Sequence, residues 1–205
     1  MTFFQALLIG LFAYLGSKRT PWFFGVAGGW NMIGRPLVAG LIVGVILGDI
    51  PNGVIAGAMV QALFIGQITP GGAMPADVNW AAYIGIPLAL AAGGTGEQAV
   101  ALSVPLSMLG LGLFNFIMTI NAYFPHMADK SAEQGDGAGI HRATYLTAVP
   151  SFILRAGSAV LICYLGTPVA EMLIHGMPSG VLHFFEVAGK MLPAIGSIFP
   201  ATSKK

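Results

Sequence analysis

Amide, hydroxyl and carboxylate side chains are concentrated in one short stretch of an otherwise apolar sequence. The stretch runs from Gln61 to Trp80 and reads QALFIGQITPGGAMPADVNW. Its polar members, which we predict to form a substrate-binding set, are Gln61, Gln67, Thr69, Asp77 and Asn79. They supply several neutral hydrogen-bonding groups and one charged acceptor, which suits a polyhydroxylated solute. An interfacial loop, with Asp77 among lipid headgroups and Trp80 in the aromatic belt, fits the same pattern.

The backbone of this stretch is not expected to form one continuous helix. Its run Pro70-Gly71-Gly72 interrupts helical hydrogen bonding, although residues 50–76 contain no charged side chain. We therefore expect irregular backbone at membrane depth, where it is tolerated only if it is buried in protein or lines a hydrated cavity. Because Asp77 would cost about 2.5–3.5 kcal/mol at the centre of a membrane helix, it needs a compensating partner or water.

A second isolated charge lies in another apolar run. Arg155 is in the middle of the segment 145–165, where a charge is costly. We expect it to pair with an acid or to reach the interface. Glu186 is a candidate for that acid, and it is also a candidate member of the site. Arg35, at a segment boundary, is expected to extend its charge to the lipid headgroups.

The chain of 205 residues carries too few charges to coat a soluble globule. Only 8% of the residues are charged and 56% are hydrophobic, whereas about a quarter are charged in an ordinary soluble domain. These values exclude a soluble enzyme, a nucleic-acid binder and a disordered regulator, and the net charge is only +1. The single cysteine, Cys163, excludes an internal disulfide framework and a cysteine metal cluster. The composition predicts an integral membrane protein.

Apolar segments separated by Gly, Pro and a few charges predict an all-α polytopic membrane protein. The segments are about 2–16, 37–48, 53–66, 80–93, 99–120, 145–165 and 181–199. Several are shorter than the roughly 20 apolar residues that a spanning helix needs. We therefore expect multiple transmembrane helices together with Gly/Pro-broken helices and re-entrant segments. The first segment is interpreted as a retained helix rather than a cleaved signal peptide.

One strongly polar stretch interrupts the apolar pattern. Residues 126–144 hold several charged side chains and a Gly-rich tip at 135–139. We predict that they form a water-exposed loop that connects two halves of the protein. Because Lys and Arg are divided between this stretch and residues 18–35, the positive-inside rule predicts no orientation.

Glycines recur with a helical spacing on both sides of Asp49. They are Gly40, Gly44, Gly48, Gly53 and Gly57. Such small-residue faces allow helices to approach closely, so we assign these glycines to packing rather than to ligand contact. Asp49 itself is expected to cap the helix that follows it.

Short motifs occur in a fixed order along nearly the whole chain. They are Arg35-Pro36-Leu37-Val38-Ala39-Gly40, Val43-Gly44-Val45-Ile46-Leu47-Gly48-Asp49, Ile68-Thr69-Pro70-Gly71-Gly72-Ala73 with Pro75-Ala76-Asp77, Ser103-Val104-Pro105-Leu106, His126-Met127-Ala128-Asp129-Lys130, and Glu186-Val187-Ala188-Gly189 followed by Leu192-Pro193-Ala194-Ile195-Gly196. In this order they resemble the IIC component of mannose/fructose/sorbose-family phosphotransferase systems. The Thr-Pro-Gly-Gly run and residues 183–189 look most like the N-acetylgalactosamine/N-acetylglucosamine branch.

The resemblance implies a multi-pass subunit of the bacterial cytoplasmic membrane that binds and translocates a hexose or N-acetylhexosamine. It also implies a hetero-oligomer with a IID membrane subunit, while IIA/IIB subunits carry phosphate and phosphorylate the sugar. The chain itself is then expected to be a transporter subunit and not an enzyme, with no cofactor, no metal and no nucleic-acid partner. In agreement with this, it has no Gly-rich Lys loop for phosphates. Residues 1–205 would form a single membrane domain of this type.

Two features depart from the family pattern. Many relatives carry an acidic residue where Gln61 stands, which implies that the substrate contacts here are tuned toward an uncharged acceptor. The chain leaves the pattern at Ser197 and ends at Lys205, so we expect the C-terminal part of the domain to be missing. The alternative function is a non-transporting membrane scaffold, or an inactive truncated permease, that only holds partner subunits.

Overall fold

A computed structural model describes residues 1–18, 20–21, 25–67 and 74–176, together with the isolated positions 180, 184 and 187. Regular structure in these residues is helical, with no strand among them. The elements are α1 (Phe3–Leu15), a π-helical turn (Gly29–Ile33), α2 (Pro36–Leu47), α3 (Ile50–Leu63), α4 (Val78–Ala91), α5 (Gly96–Asn121), α6 (Tyr123–Glu133), α7 (Gly137–Leu146) and α8 (Ala148–Gly176). The predicted segment 181–199 lies outside the described residues.

Side-chain caps define where several helices begin. Thr2 forms a capping box with Gln5 at the start of α1, and Thr95 does the same with Gln98 at the start of α5. The carboxylate of Asp49 accepts a hydrogen bond from the backbone N–H of Asn52 at the start of α3. The prediction that Asp49 caps the following helix is therefore confirmed.

Helices α2 and α3 form a tight pair through their glycines. Gly48 ends α2 in the left-handed conformation (φ 82°), and α3 begins two residues later. A Cβ atom added at Gly53 would lie 2.7 Å from the Cα atom of Gly44, and one added at Gly40 would lie 2.7 Å from the Cα atom of Gly57. The backbones are therefore in direct contact, which confirms that Gly40, Gly44, Gly53 and Gly57 serve helix packing. For Gly48 the packing prediction was wrong, because a Cβ there meets nothing within 4 Å and the residue ends α2 instead.

Helix α4 lies at the centre of the fold. Residues 78–89 are all buried, and the helix packs against α1, α2, α3, α5 and α8. It has 14 residues and is therefore about 21 Å long, shorter than the roughly 30 Å hydrocarbon core of a bilayer. Because α2 and α3 are just as short, the structure has the broken-helix architecture that the sequence predicts.

Within the part of the chain that the structure describes, two helical stretches are long and apolar enough to cross a bilayer. They are Gly96–Glu133, which joins α5 and α6, and Gly137–Met172, which joins α7 with most of α8. Each contains a proline, Pro105 in α5 and Pro168 in α8, without ending the helix. These stretches provide the remaining part of an all-α membrane fold.

The predicted loop at 126–144 is helical, so that prediction was wrong in its local structure. Its residues lie on α6 and α7, and the break between the helices is confined to residues 134–136. Gly135 supplies the reversal, since its φ of 69° is one that residues with a Cβ rarely adopt. No residue of α6 is buried, so its polar composition reflects exposure rather than irregular backbone.

Candidate functional site

A buried ion pair joins α4 to α8. The guanidinium of Arg155 contacts the carboxylate of Asp77 twice, with 2.7 Å from Nη1 to Oδ2 and 2.8 Å from Nη2 to Oδ1. Nη2 also donates to Oδ1 of Asn79, at 2.9 Å. The side chains of Asp77 and Arg155 are 0% and 3% exposed. Because a charge in this position is tolerated only when it is compensated, the two-pronged contact allows both side chains to be buried.

Asp77 is held in this position in part because it is the N-cap residue, immediately before the first residue of α4. Its Oδ1 accepts a hydrogen bond from the backbone N–H of Trp80 at 3.0 Å, which caps the helix. Its own backbone N–H donates to the carbonyl of Ser107 on α5, at 3.1 Å. A Cβ atom added at Gly110 would lie 2.9 Å from Cβ of Asp77, so the missing side chain of Gly110 makes room for it. The start of α4 is thus fixed by both α5 and α8.

Arg155 was predicted to pair with an acid or to reach the interface, and it pairs with Asp77. Asp77 was predicted to need a compensating partner or water, and Arg155 is that partner. Seventy-eight positions separate the two residues in the sequence. The sequence therefore predicted that each charge needs compensation, but not that the two residues pair with each other. The other candidate acid, Glu186, lies outside the described residues.

A small polar cavity lies beside this cluster. It has a volume of about 140 Å³ and is bordered by the π-helical turn, the start of α2, the end of α3 and the start of α4. Its principal lining side chains are Trp30, Asn31, Arg35, Gln61, Phe64 and Gln67, and Val78 completes the wall. Ordinary ligand pockets measure about 300–1,000 Å³, so this cavity suits one small polar molecule.

Gln67 connects the two sides of this cavity. Its Nε2 donates to the carbonyl of Ala76 at 2.8 Å, which bridges the segment between α3 and α4. Its Oε1 is buried and has no hydrogen-bond partner among the described residues. Because an unsatisfied buried acceptor costs about 1–3 kcal/mol, a polar molecule in the cavity that donates a hydrogen bond to this oxygen would be stabilised there.

The cavity is bordered by cationic and aromatic side chains, and its charge is positive. Arg35 lines it, and the ammonium of Lys18 lies 4.8 Å from the ring centre of Trp30. No carboxylate is among the lining side chains that the structure describes. Arg35 is exposed and also lines this cavity, and its headgroup location stays a prediction.

Four of the five predicted site residues fall into two adjacent groups. Gln61 and Gln67 line the cavity, whereas Asp77 and Asn79 belong to the buried ion cluster. Thr69 lies outside the described residues. The sequence prediction omitted four cavity residues. Trp30, Asn31 and Arg35 come from another segment, and Phe64 lies within the predicted stretch but is apolar.

Two larger grooves are less suited than this cavity to bind a polar ligand. One of about 510 Å³ lies between α4, α5 and α8, and one of about 560 Å³ lies between α1 and α8. Their walls are almost wholly apolar side chains, which suit lipid or protein contact rather than hydrogen bonding. The described residues also contain no group of three or more His, Cys, Asp or Glu that could hold a metal ion.

The helical fold, the apolar spans and the buried charge pair define an integral membrane protein with an internal polar cavity. The chain belongs to the family of PTS system sorbose-specific IIC components, whose family model matches residues 3–198. The resemblance predicted from the motifs is confirmed by this match. The relatives of this family that the chain matches are named as permease or EIIC components.

Curated relatives from several bacteria show the same kinship. The chain is 32% identical over 162 residues to N-acetylgalactosamine permease IIC component 1 of Escherichia coli K12, with 79% of this chain and 61% of that protein covered. It is 29% identical over 163 residues to the mannose-specific EIIC component of the same strain, and 31% identical to the fructose permease IIC component of Bacillus subtilis 168. These matches cover 79% of this chain and 61% and 60% of the relatives. The chain thus spans about three-fifths of the length of the curated relatives it matches.

Solved structures share the fold over the whole chain. A cryo-EM structure of the mannose transporter ManYZ in complex with microcin E492 matches with a TM-score of 0.70 and 25% identity. A second structure, described as a membrane protein, matches with a TM-score of 0.82 and 25% identity. In both cases all of this chain and 81% of the other chain are covered.

Proposed function

We propose that this chain is the sugar-translocating subunit of a phosphoenolpyruvate-dependent phosphotransferase system, and that its sugar binds in the polar cavity between α2, α3 and α4. The observation that carries this proposal is the buried Oε1 of Gln67, which lines the cavity and lacks a hydrogen-bond donor among the described residues. A sugar hydroxyl supplies such a donor. The names of the relatives, which include permeases for N-acetylgalactosamine and fructose, support a sugar as the solute.

The cavity offers the kinds of contact that a pyranose or furanose ring uses. The amides of Asn31, Gln61 and Gln67 both donate and accept, so they match hydroxyl groups that do the same. Trp30 and Phe64 present apolar ring surface on which the C–H face of a sugar packs. The hydroxyl groups and C–H faces of a hexose or N-acetylhexosamine match this combination of amide and aromatic contacts. In this proposal Asp77 and Asn79 influence sugar binding indirectly, by positioning the cavity wall at Val78. Thr69 stays a predicted contact with the sugar.

The partners follow from the same family membership. We propose that the chain crosses the bacterial cytoplasmic membrane several times as a single membrane domain and assembles with a IID subunit. IIA and IIB subunits then phosphorylate the arriving sugar. The structural match to the ManYZ transporter supports a complex of this kind. The apolar grooves beside α8 are available for such contacts within the lipid bilayer.

Replacing Gln67 by alanine tests the sugar site. We expect binding to weaken about tenfold, because one hydrogen bond to the sugar and the bridge to Ala76 are both lost. The measurement is equilibrium binding of radiolabelled mannose, fructose, sorbose and N-acetylgalactosamine to membranes that contain the protein with its partner subunits. Gln134→Ala is the matched control, since Gln134 is exposed in the turn between α6 and α7.

The outcomes of this experiment separate the two functions. Weaker binding in Gln67→Ala and normal binding in Gln134→Ala support the cavity as the sugar site. If both variants bind the sugars as tightly as the wild type, the sugar does not bind in this cavity. If an intact complex binds none of the four sugars, the chain is a non-transporting scaffold instead.

The charge of the cavity predicts a preference among sugars. A cationic Arg35 and the absence of a carboxylate among the described lining residues oppose a protonated amino group. At pH 6 the wild-type protein should therefore bind N-acetylgalactosamine at least about tenfold more tightly than galactosamine. Competition of each unlabelled sugar against radiolabelled N-acetylgalactosamine measures the ratio. Equal competition by the two sugars would contradict the assignment of a neutral substrate.

A further inference from the structure

Three consecutive residues connect the ion cluster to the cavity. The carbonyl of Ala76 accepts the hydrogen bond from Gln67, the carboxylate of Asp77 pairs with Arg155, and the side chain of Val78 forms part of the cavity wall. A shift of Asp77 must therefore move the acceptor that orients Gln67 and the wall beside it. The position of the cavity wall therefore depends on the contacts that fix the side chain of Asp77.

Arg155 is the side chain that holds Asp77 from α8. It does not line the cavity, but its guanidinium makes three contacts of 2.7–2.9 Å with Asp77 and Asn79. All three residues are buried, with exposures of 3% for Arg155 and 0% for both partners. A buried pair of this kind separates only at high cost, since each partner left alone is an uncompensated charge. The high cost of separating this pair therefore keeps the start of α4 in place against α8.

We propose that Arg155 is a positioning residue for the sugar cavity, which it shapes by fixing residues 76–78 from outside the cavity. This inference rests on the proposed function. The planar guanidinium is essential to it, because its two Nη atoms reach both carboxylate oxygens and the amide oxygen of Asn79 at once. A lysine carries the same charge, but its single ammonium does not reproduce this fork.

The test compares Arg155→Lys with the double variant Asp77→Asn/Arg155→Gln. The first keeps the charge and loses the fork, whereas the second removes both charges and keeps an amide that can cap α4. Both variants should raise the KM for sugar uptake about tenfold while the maximal rate per folded protein stays unchanged, because a wall displaced by less than an ångström weakens substrate contacts. The assay uses cells that contain the complete transport system and radiolabelled N-acetylgalactosamine or mannose.

Folded protein is counted by fluorescence-detected size-exclusion chromatography, so loss of fold does not enter the comparison. Arg142→Lys is the matched control, because Arg142 is exposed on α7 and should keep the wild-type KM. A wild-type KM in either folded variant would show that the cluster serves stability alone and would overturn the proposal. If the wild-type system itself takes up neither sugar and binds none of the four sugars named above, the proposed function fails, and this inference fails with it.

Discussion

Replacing Asp77 by asparagine should destabilise the protein far more than the same substitution at Asp49. Both residues cap a helix, and asparagine caps about as well as aspartate, so the caps themselves are preserved. At position 77, however, the substitution leaves the buried guanidinium of Arg155 without its counter-charge. Removing one partner of a buried pair costs about 3–5 kcal/mol, which corresponds to a fall in Tm of about 6–20 °C for a chain of this size.

Thermal unfolding of the purified protein in detergent measures this difference. The double variant Asp77→Asn/Arg155→Gln should recover most of the lost Tm, since it removes the unpaired charge as well. An Asp77→Asn protein as stable as Asp49→Asn would mean that water or another group compensates Arg155. Uptake by Asp77→Asn alone is therefore a poor test of sugar contact, because the substitution changes the fold and the site together.

The second large effect is expected at the contact between α2 and α3. In a Gly40→Val variant, the new Cβ would meet the carbonyl oxygen of Gly53 and lie 2.7 Å from the Cα atom of Gly57. Because both neighbours are backbone atoms, no side-chain rotation relieves the clash, and the helices must separate. Overpacking of this kind costs about 1–3 kcal/mol or more, and the separation would also widen the cavity that both helices border.

The yield of monodisperse protein and its Tm report on this variant. Gly112→Ala is the matched control, because Gly112 also lies within a helix but a Cβ there meets nothing within 4 Å. It should leave the Tm unchanged or raise it slightly, since alanine is the better helix former by about 0.5–1 kcal/mol. A Gly40→Val protein as stable as Gly112→Ala would contradict the backbone contact.

The sequence predicted the local features of the fold well because these depend on neighbouring residues. The interruption between α2 and α3 follows from Gly48 and Asp49, which end one helix and cap the next. The spacing of Gly40, Gly53 and their neighbours likewise indicated close packing. The stretch at 126–144 misled the prediction, because polar residues and glycines are typical both of loops and of exposed helices. The structure shows exposed helices on both sides of Gly135, whose positive φ marks the turn between them.

The site was predictable only in part because it is assembled from distant segments. Gln61 and Gln67 lie close in sequence and border the same cavity. Trp30, Asn31 and Arg35 join them only because the π-helical turn and α2 fold back against α4, where the hydroxyl of Tyr83 donates to the carbonyl of Ile33 at 2.8 Å. The cost of a buried charge showed that Asp77 and Arg155 each needed compensation. It did not show that one compensates the other, since that depends on the packing of α4 against α8.

The pairing of Asp77 with Arg155 also determines how this part of the protein responds to membrane voltage. A single elementary charge that crosses the membrane field gains or loses about 2.3 kcal/mol per 100 mV. The two opposite charges lie within 3 Å of each other and sum to zero, so the pair itself carries no net charge through the field when α4 and α8 move together. The membrane potential therefore exerts no net force on the pair, whereas neutralising either residue alone would leave a charge on which the potential acts.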